Sequence, residues 1–301
     1  MNWEEWLRNS AAPPSNTEDE KRARTEQQIR DALRAYGPLK GRDYVVYAKG
    51  SYANNTNVRL DYDVDIAVEY QGFAYYDLNF ELKNHDPASL GIGSSNDPYK
   101  RSEFKRDIRA ALEAAFGQSA VEVGRIAFRV REKKMTLPAD VVPCWEYHRY
   151  ERLEGGRPIY EQGTRVFPSD GLPIDNYPAQ QFARGIAKNK RTGGRYKDMV
   201  RAFKRLQTRM ADEGVLEEEL ASYLSECLVF NVPDGKFGHS RYRDDVRAVL
   251  AVIFDATLPT GDWNDWEEVN GLKYLFRGNM DWTRKQVHAV ADAAWDYLGF
   301  D

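Results

Sequence analysis

Between Tyr62 and Val68 the chain sets Asp63 and Asp65 two residues apart within an alternation of Val64, Ile66 and Val68. A period of two belongs to a strand whose faces differ. The run therefore predicts one face of Val64, Ile66 and Val68 and an opposite face opened by two carboxylates. Bare carboxylates side by side on a pleated surface repel, and a cation between them removes the repulsion. Such hard oxygen ligands suit Mg2+, which usually keeps several waters and takes one or two carboxylates together with substrate phosphates. Two such ions about 3.5–4 Å apart clamp the attacking and leaving oxygens of an in-line phosphoryl displacement.

A second motif precedes this run. Tyr44 to Ala48 is an apolar strand candidate, and Lys49-Gly50-Ser51-Tyr52 follows it. Glycine permits a sharp turn and a close backbone approach. If a helix starts there, the following amides and the Ser51 hydroxyl can bind a phosphate. Either motif alone is commonplace; the two in this order, each on its own strand, point to nucleotidyl transfer.

The 301 residues carry a net charge of −4, which argues against a general nucleic-acid binder. A local basic cleft stays compatible with it. The two cysteines, Cys144 and Cys227, lie in apolar runs, and the four histidines show no zinc-ligand spacing with them. A disulfide framework is not expected, which makes a reducing cytoplasm the default. No stretch has the length of a membrane span and no signal peptide is seen, so a soluble cytoplasmic protein is expected.

Gly50-Ser51 followed by Asp63-Val64-Asp65 resembles the signature of the polymerase-β-type nucleotidyltransferases. The fuller run from Gly50 through Tyr52, Asn54, Asn55 and Asn57 to Arg59 is similar to that of the bacterial CD-NTases. These are relatives of animal cyclic GMP–AMP synthase and of oligoadenylate synthetases, and they make cyclic nucleotide signals in antiphage defence. The resemblance implies an α+β fold: a nucleotidyltransferase core of mixed sheet and flanking helices, then a C-terminal helical domain, the two lobes enclosing a cleft. The Pro-, Gly- and Asp-rich stretch from 168 to 178 places the junction, giving expected domains of 1–168 and 169–301.

Further site residues follow. Asp140 sits among Ala139, Val141 and Val142 on a strand that reads as buried. An unpaired buried carboxylate is costly, so Asp140 either caps a turn, pairs with an arginine, or completes a triad with Asp63 and Asp65. The resemblance favours the triad, because the family carries its third metal ligand in a stretch like Asp140 to Cys144. The implied cofactor is two Mg2+ ions, with Mn2+ as the alternative.

From Arg184 to Arg209 there are ten basic residues and one acidic residue. On a helix Lys197, Arg201 and Lys204 share a stripe, with Met199, Phe203, Leu206 and Met210 on another. The basic stripe is either a solvated face or a triphosphate contact. The resemblance implies a triphosphate-gripping lysine followed by a Ser-Tyr pair that binds phosphate and stacks on a base, matched here by Lys204, Ser222 and Tyr223. It also places Asn176 near a base, in a pattern of enzymes that accept a pyrimidine beside a purine. The nucleotide-binding candidates are thus Gly50, Ser51, Asn176, Lys197, Lys204, Ser222 and Tyr223.

The implied reaction is template-free joining of nucleoside triphosphates (ATP, with UTP or GTP) into a cyclic second messenger that acts through a downstream effector. Linear oligonucleotide synthesis, modification of an RNA, protein or small molecule, and non-catalytic nucleotide binding are the alternatives. The acidic balance and missing zinc ligands argue against a nucleic-acid activator.

Secondary structure is also legible in outline. A helix is expected from a Thr17 capping box to Gly37, and another from Tyr99 to Phe116. A loop with a short helix is expected over 71–99, a flexible basic loop over 190–195, a helix over 215–230, and a terminal helix opened by Asp281.

Overall fold

The computed structural model describes residues 1–58, 63–132, 136–278 and 281–300. The chain divides into two compact units. One comprises Asn16–Lys49 and the described part of Tyr62–Pro178; the other comprises Met1–Ser15 and the described parts of Gly50–Asp61 and Ala179–Asp301.

The first unit is a seven-stranded mixed sheet. Its strands are β1 (Tyr44–Ala48), β2 (Val64–Leu78), β3 (Val121–Val123), β4 (Phe128–Val130), β5 (Ala139–Glu154), β6 (Arg157–Val166) and β7 (Ile174–Asn176). The order is β1-β2-β5-β4-β3, with β6 on the outer half of β5 and β7 beside β6. Only the β2–β5 pairing is parallel among the described strands.

Alternation gives the sheet two chemically distinct faces. Val64, Ile66 and Val68 are fully buried, as are Val141 and Trp145 on β5. Two helices, α2 (Asn16–Ala35) and α4 (Arg101–Phe116), pack against the sheet and each other. Ile29 and Leu33 of α2 are buried, as are Phe104, Ile108 and Leu112 of α4 at four-residue intervals. Phe104 and Trp145 meet edge to face, with centroids 5.6 Å apart. The Thr25 hydroxyl of α2 accepts from the Leu137 amide at 2.9 Å and pins the entry to β5.

The second unit is helical. It holds α1 (Trp3–Ala11), α3 (Gly50–Asn54), α5 (Pro178–Arg191), α6 (Arg195–Asp212), α7 (Ser222–Asn231), α8 (Tyr242–Thr257) and α9 (Arg284–Tyr297). Helix α6 is its axis: Val200, Phe203, Leu206 and Met210 pack into one core with Leu7, Leu224, Leu228, Leu250, Ile253, Val287 and Val290.

Several expectations change. The expected 1–168 and 169–301 division misplaces three segments, one of them residues 169–178, which stay with the sheet unit through β7 and its pairing to β6. Residues 1–15 join the helical unit because α1 packs on α6, and residues 50–58 join it because α6 side chains hold their backbone carbonyls. Helix α2 starts at Asn16, leaving Thr17 inside it. The expected loop at 71–99 is strand as far as Leu78, paired to β5 across a register shift between Tyr70 and Tyr75. The presumed flexible loop at 190–195 is a tight turn: Gly193 and Gly194 have φ of +60° and +94°, and the buried Thr192 hydroxyl accepts from the Tyr196 amide at 3.1 Å. Helix α7 begins only at Ser222, and α9 is capped by Thr283 with Gln286 rather than by Asp281. Arg59 and Tyr62 of the motifs lie outside the described residues.

Candidate active site

The acidic site is built on the sheet. Asp65 of β2 is the register partner of Asp140 of β5, and Asp140 is the register partner of Arg129 of β4. Residues directly opposite on paired strands point to the same face. Asp65, Asp140 and Arg129 therefore form one row across three neighbouring strands. Asp63 shares the Asp65 face, two residues earlier. The sheet thus brings all three predicted carboxylates to one place, although Asp63 and Asp140 lie far apart in sequence.

Electrostatically the cluster is partly neutralised from within. Arg129 donates from Nη2 to Asp63 Oδ2 at 3.0 Å and from Nε to Asp140 Oδ1 at 3.2 Å. Those two bonds hold the guanidinium above its ordinary pKa, the Asp140 hydrogen bond contributing most. Of the three expectations for Asp140 (turn cap, arginine partner, member of a triad), the structure shows the arginine partner, Arg129, and sets Asp65 beside it in register. Among the described residues no three acidic, histidine or thiol side chains converge as they would around an ion. Asp63 and Asp140 are turned onto Arg129 instead.

Further along the same face lie Ala67, Val142, Cys144 and Val166. Burial pushes the Cys144 thiol up to about 12, so it is an apolar filler here rather than a nucleophile. Asn176 is half-buried and pairs with Thr164, which pairs with Glu146. Alternation sets it on the Asp140 face. Its approach depends on Gly163, because a Cβ there would meet the Asn176 carbonyl oxygen at 2.5 Å. Glu69, a buried carboxylate on this face, was not anticipated. It accepts from the Tyr47 hydroxyl at 2.7 Å, and burial raises its pKa.

In the helical unit, Gly50 takes φ +69° at the start of α3, a left-handed value that favours glycine. The Thr56 amide closes the turn on the Ser51 carbonyl at 2.9 Å. Residues 55–56 are then clamped from two helices. Arg201 donates to the Asn55 carbonyl at 2.6 Å, Lys204 to the Thr56 carbonyl at 3.1 Å, and the Thr56 hydroxyl to Glu226 at 2.9 Å.

Thus the predicted basic stripe is not a solvated face: Lys197, Arg201 and Lys204 are all buried. Arg201 also binds the Ala11 carbonyl and Asp198, both at 2.6 Å. Lys197 has its pKa lowered by burial, partly offset by Glu226. Lys204 and Ser222 do share a cavity of about 600 Å3, lined also by Arg205, Thr208, Arg209 and Ser225. Lys197 is not part of that lining. Tyr223 is pinned, its hydroxyl donating to Glu268 at 3.0 Å and accepting from Asn270 at 3.2 Å.

Comparison with known proteins identifies the family. Residues 183–299 match the C-terminal helical domain of cGAS/DncV-like nucleotidyltransferases. The chain is 34% identical, over 99% of its length and 98% of the relative's, to the cyclic dipyrimidine nucleotide synthase CdnE of Cecembia lonarensis. The Elizabethkingia meningoseptica CdnE cyclic dinucleotide synthase, solved with GTP and Apcpp, superposes with a TM-score of 0.81 at 30% identity, covering 100% of both chains. The Rhodothermus marinus c-UMP-AMP synthase, solved with Apcpp and Upnpp, gives 0.82 at 29% identity, over 99% of this chain and 97% of that one. The chain belongs to the CD-NTase family, the cGAS/DncV-like nucleotidyltransferases, and within it groups with the CdnE cyclic dinucleotide synthases. None of its described helices is long and apolar enough to cross a membrane.

Proposed function

We propose that this protein joins two nucleoside triphosphates into a cyclic dinucleotide, at least one of the pair being UTP, with ATP as the natural partner. The observation that carries the reading is the acid row: all three carboxylates of the motif are present and share one sheet face, in a chain related end to end to cyclic dinucleotide synthases. In each of two steps a 3′-oxygen attacks an α-phosphorus and pyrophosphate leaves, so closing one ring releases two pyrophosphates.

Asp63, Asp65 and Asp140 would hold Mg2+, or Mn2+ in its place. The chemistry of the donor set suits such an ion, because carboxylates on one sheet face are hard oxygen ligands, and Asp63 and Asp140 would turn from Arg129 to meet it. When bound it supplies Lewis-acid activation and charge neutralisation. The Asp140 carboxylate accepts the proton of the attacking 3′-hydroxyl. Lys204 and Ser222 contact the triphosphate beside the turn at Gly50 and Ser51, Tyr223 packs on a base, and Asn176 reads the other. Catalysis of this kind is mainly positioning and electrostatics, since phosphoryl transfer asks for little covalent chemistry from the protein. The pyrimidine assignment draws support from two relatives that are cyclic dipyrimidine nucleotide synthases and from a cyclic UMP-AMP synthase, and the ATP partner from the last of these. The product would act as a second messenger in antiphage defence, read by a separate effector, as the family resemblance implies.

The test is incubation of the purified protein with Mg2+ and all four labelled triphosphates, then phosphatase treatment, chromatography and mass spectrometry. A phosphatase-resistant cyclic dinucleotide that disappears when UTP is omitted is expected. A ladder of linear products, or no pyrophosphate release with Mg2+ or Mn2+, would overturn the reading.

A further inference from the structure

Arg129 has no role in the reaction as drawn, yet its position is tightly specified. Phe128 and Val130 are buried on the other face of β4, so alternation sends Arg129 to the acid face. Register pairing then sets it opposite Asp140. A guanidinium carries its donors in a rigid fork and stays charged at any working pH. Here the fork spans two carboxylates, Asp63 and Asp140. The side chain is 52% exposed, so it can leave that position without unpacking the strand. Its neighbour Arg131 is bound separately, to Glu122. The cation bridging the acid row is therefore a movable one, held by the ligands that a divalent ion would need.

We propose that Arg129 is the resident counter-ion of the acid row, a positioning residue that holds Asp63 and Asp140 against their mutual repulsion and is exchanged for the divalent ion on loading. The proposal rests on the reading of Asp63, Asp65 and Asp140 as the metal site. Loading is then a competition. The ion must displace a guanidinium from two of its ligands, so Arg129 sets how much free metal the enzyme needs. It also keeps three neighbouring carboxylates in a folded sheet when no ion is present.

Two consequences of opposite sign follow for Arg129→Gln. Without divalent ion the variant loses its internal cation, and its Tm falls below that of wild type. With the competitor gone it binds Mn2+ more tightly, by about three- to tenfold for a partly exposed pair. Arg129→Lys keeps the charge but not the fork and falls between the two in both measurements. A merely structural arginine would lower the Tm with and without ion and leave affinity unchanged or weaker.

The experiment titrates Mn2+ alone into the full-length protein, following loss of the free-ion EPR signal, and repeats the titration with a non-hydrolysable ATP analogue. Wild type, Arg129→Gln, Arg129→Lys and the Asp63→Ala/Asp65→Ala double variant are compared, with Tm recorded in EDTA and in Mn2+. Tighter Mn2+ binding by Arg129→Gln, together with a lower Tm in EDTA that Mn2+ restores, is the expected result. Equal or weaker Mn2+ binding by Arg129→Gln, while wild type binds and the double variant does not, overturns the role of Arg129 alone. Mn2+ binding that the double variant retains overturns the metal-site reading, and this inference with it.

Discussion

The acid row on the sheet and the basic stripe on α6 are two concentrations of charge that the fold treats in opposite ways. Asp63 and Asp140 stay partly open to solvent, held by one long side chain that can move away. Lys197, Arg201 and Lys204 are buried, and the bonds of Arg201 and Lys204 run to main-chain carbonyls that cannot move without unpacking the unit. Charge that waits for a ligand is kept exposed and reversibly neutralised. Charge that builds a scaffold is desolvated and permanently satisfied, because a buried ion without partners would be expelled or neutralised. Like residue patterns in the sequence thus carry different chemistry.

The comparison breaks most visibly at the acid row. Asp63→Ala with Asp65→Ala should lower cyclic product by on the order of 10³-fold or more while leaving the Tm within a few degrees. Product measured by mass spectrometry near the wild-type level would show that the row is structural. On α6 the signs should reverse. Arg201→Ala strands the carbonyls of Ala11 and Asn55, and urea unfolding should register a loss of ~3 kcal/mol. A full-stability variant would return Arg201 to the class of ligand-binding cations.

Lys204 sharpens the contrast because it belongs to both descriptions. It binds the Thr56 carbonyl and also lines the cavity with Ser222. Lys204→Met should raise the KM for ATP by about ten- to a hundredfold if the lysine also meets phosphate. A fall in Tm with KM unchanged would leave it a scaffold residue only.

The smallest effect concerns Lys197, whose pKa burial holds below its ordinary 10.5. Between the lowered value and 10.5 the unfolded chain binds more protons than the folded one, so stability rises with pH across that window. Lys197→Met should remove this alkaline rise and change little else, as read from thermal melts at stepped pH. Glu69 has the opposite slope. Burial raises its pKa above 4.5, the folded state holds the extra proton, and stability falls as pH rises from 4.5 through the raised value.

The strand that carries Asp63 and Asp65, the turn at Gly50, the helix of Phe104, Ile108 and Leu112, and the apolar side of α6 were all legible in the residues alone. These are local: period two, period 3.6 and a positive-φ glycine are written within a few residues. Asp140 was marked as well, since a carboxylate among buried aliphatic residues needs a reason. Helix starts were less legible at Ser222, where the preceding Leu220 amide is held by Gln207, and at Thr283, whose capping box with Gln286 took the place of Asp281.

The partners of charge come from long-range packing. Arg129 lies 66 residues from Asp63, and strand register alone joins them. Arg201 reaches the Ala11 carbonyl across 190 residues, and Lys204 reaches Thr56 across 148. A local pattern fixes which way a side chain points, but not what the fold brings opposite it. Whether a cation is solvated, buried or awaiting exchange is a property of that meeting.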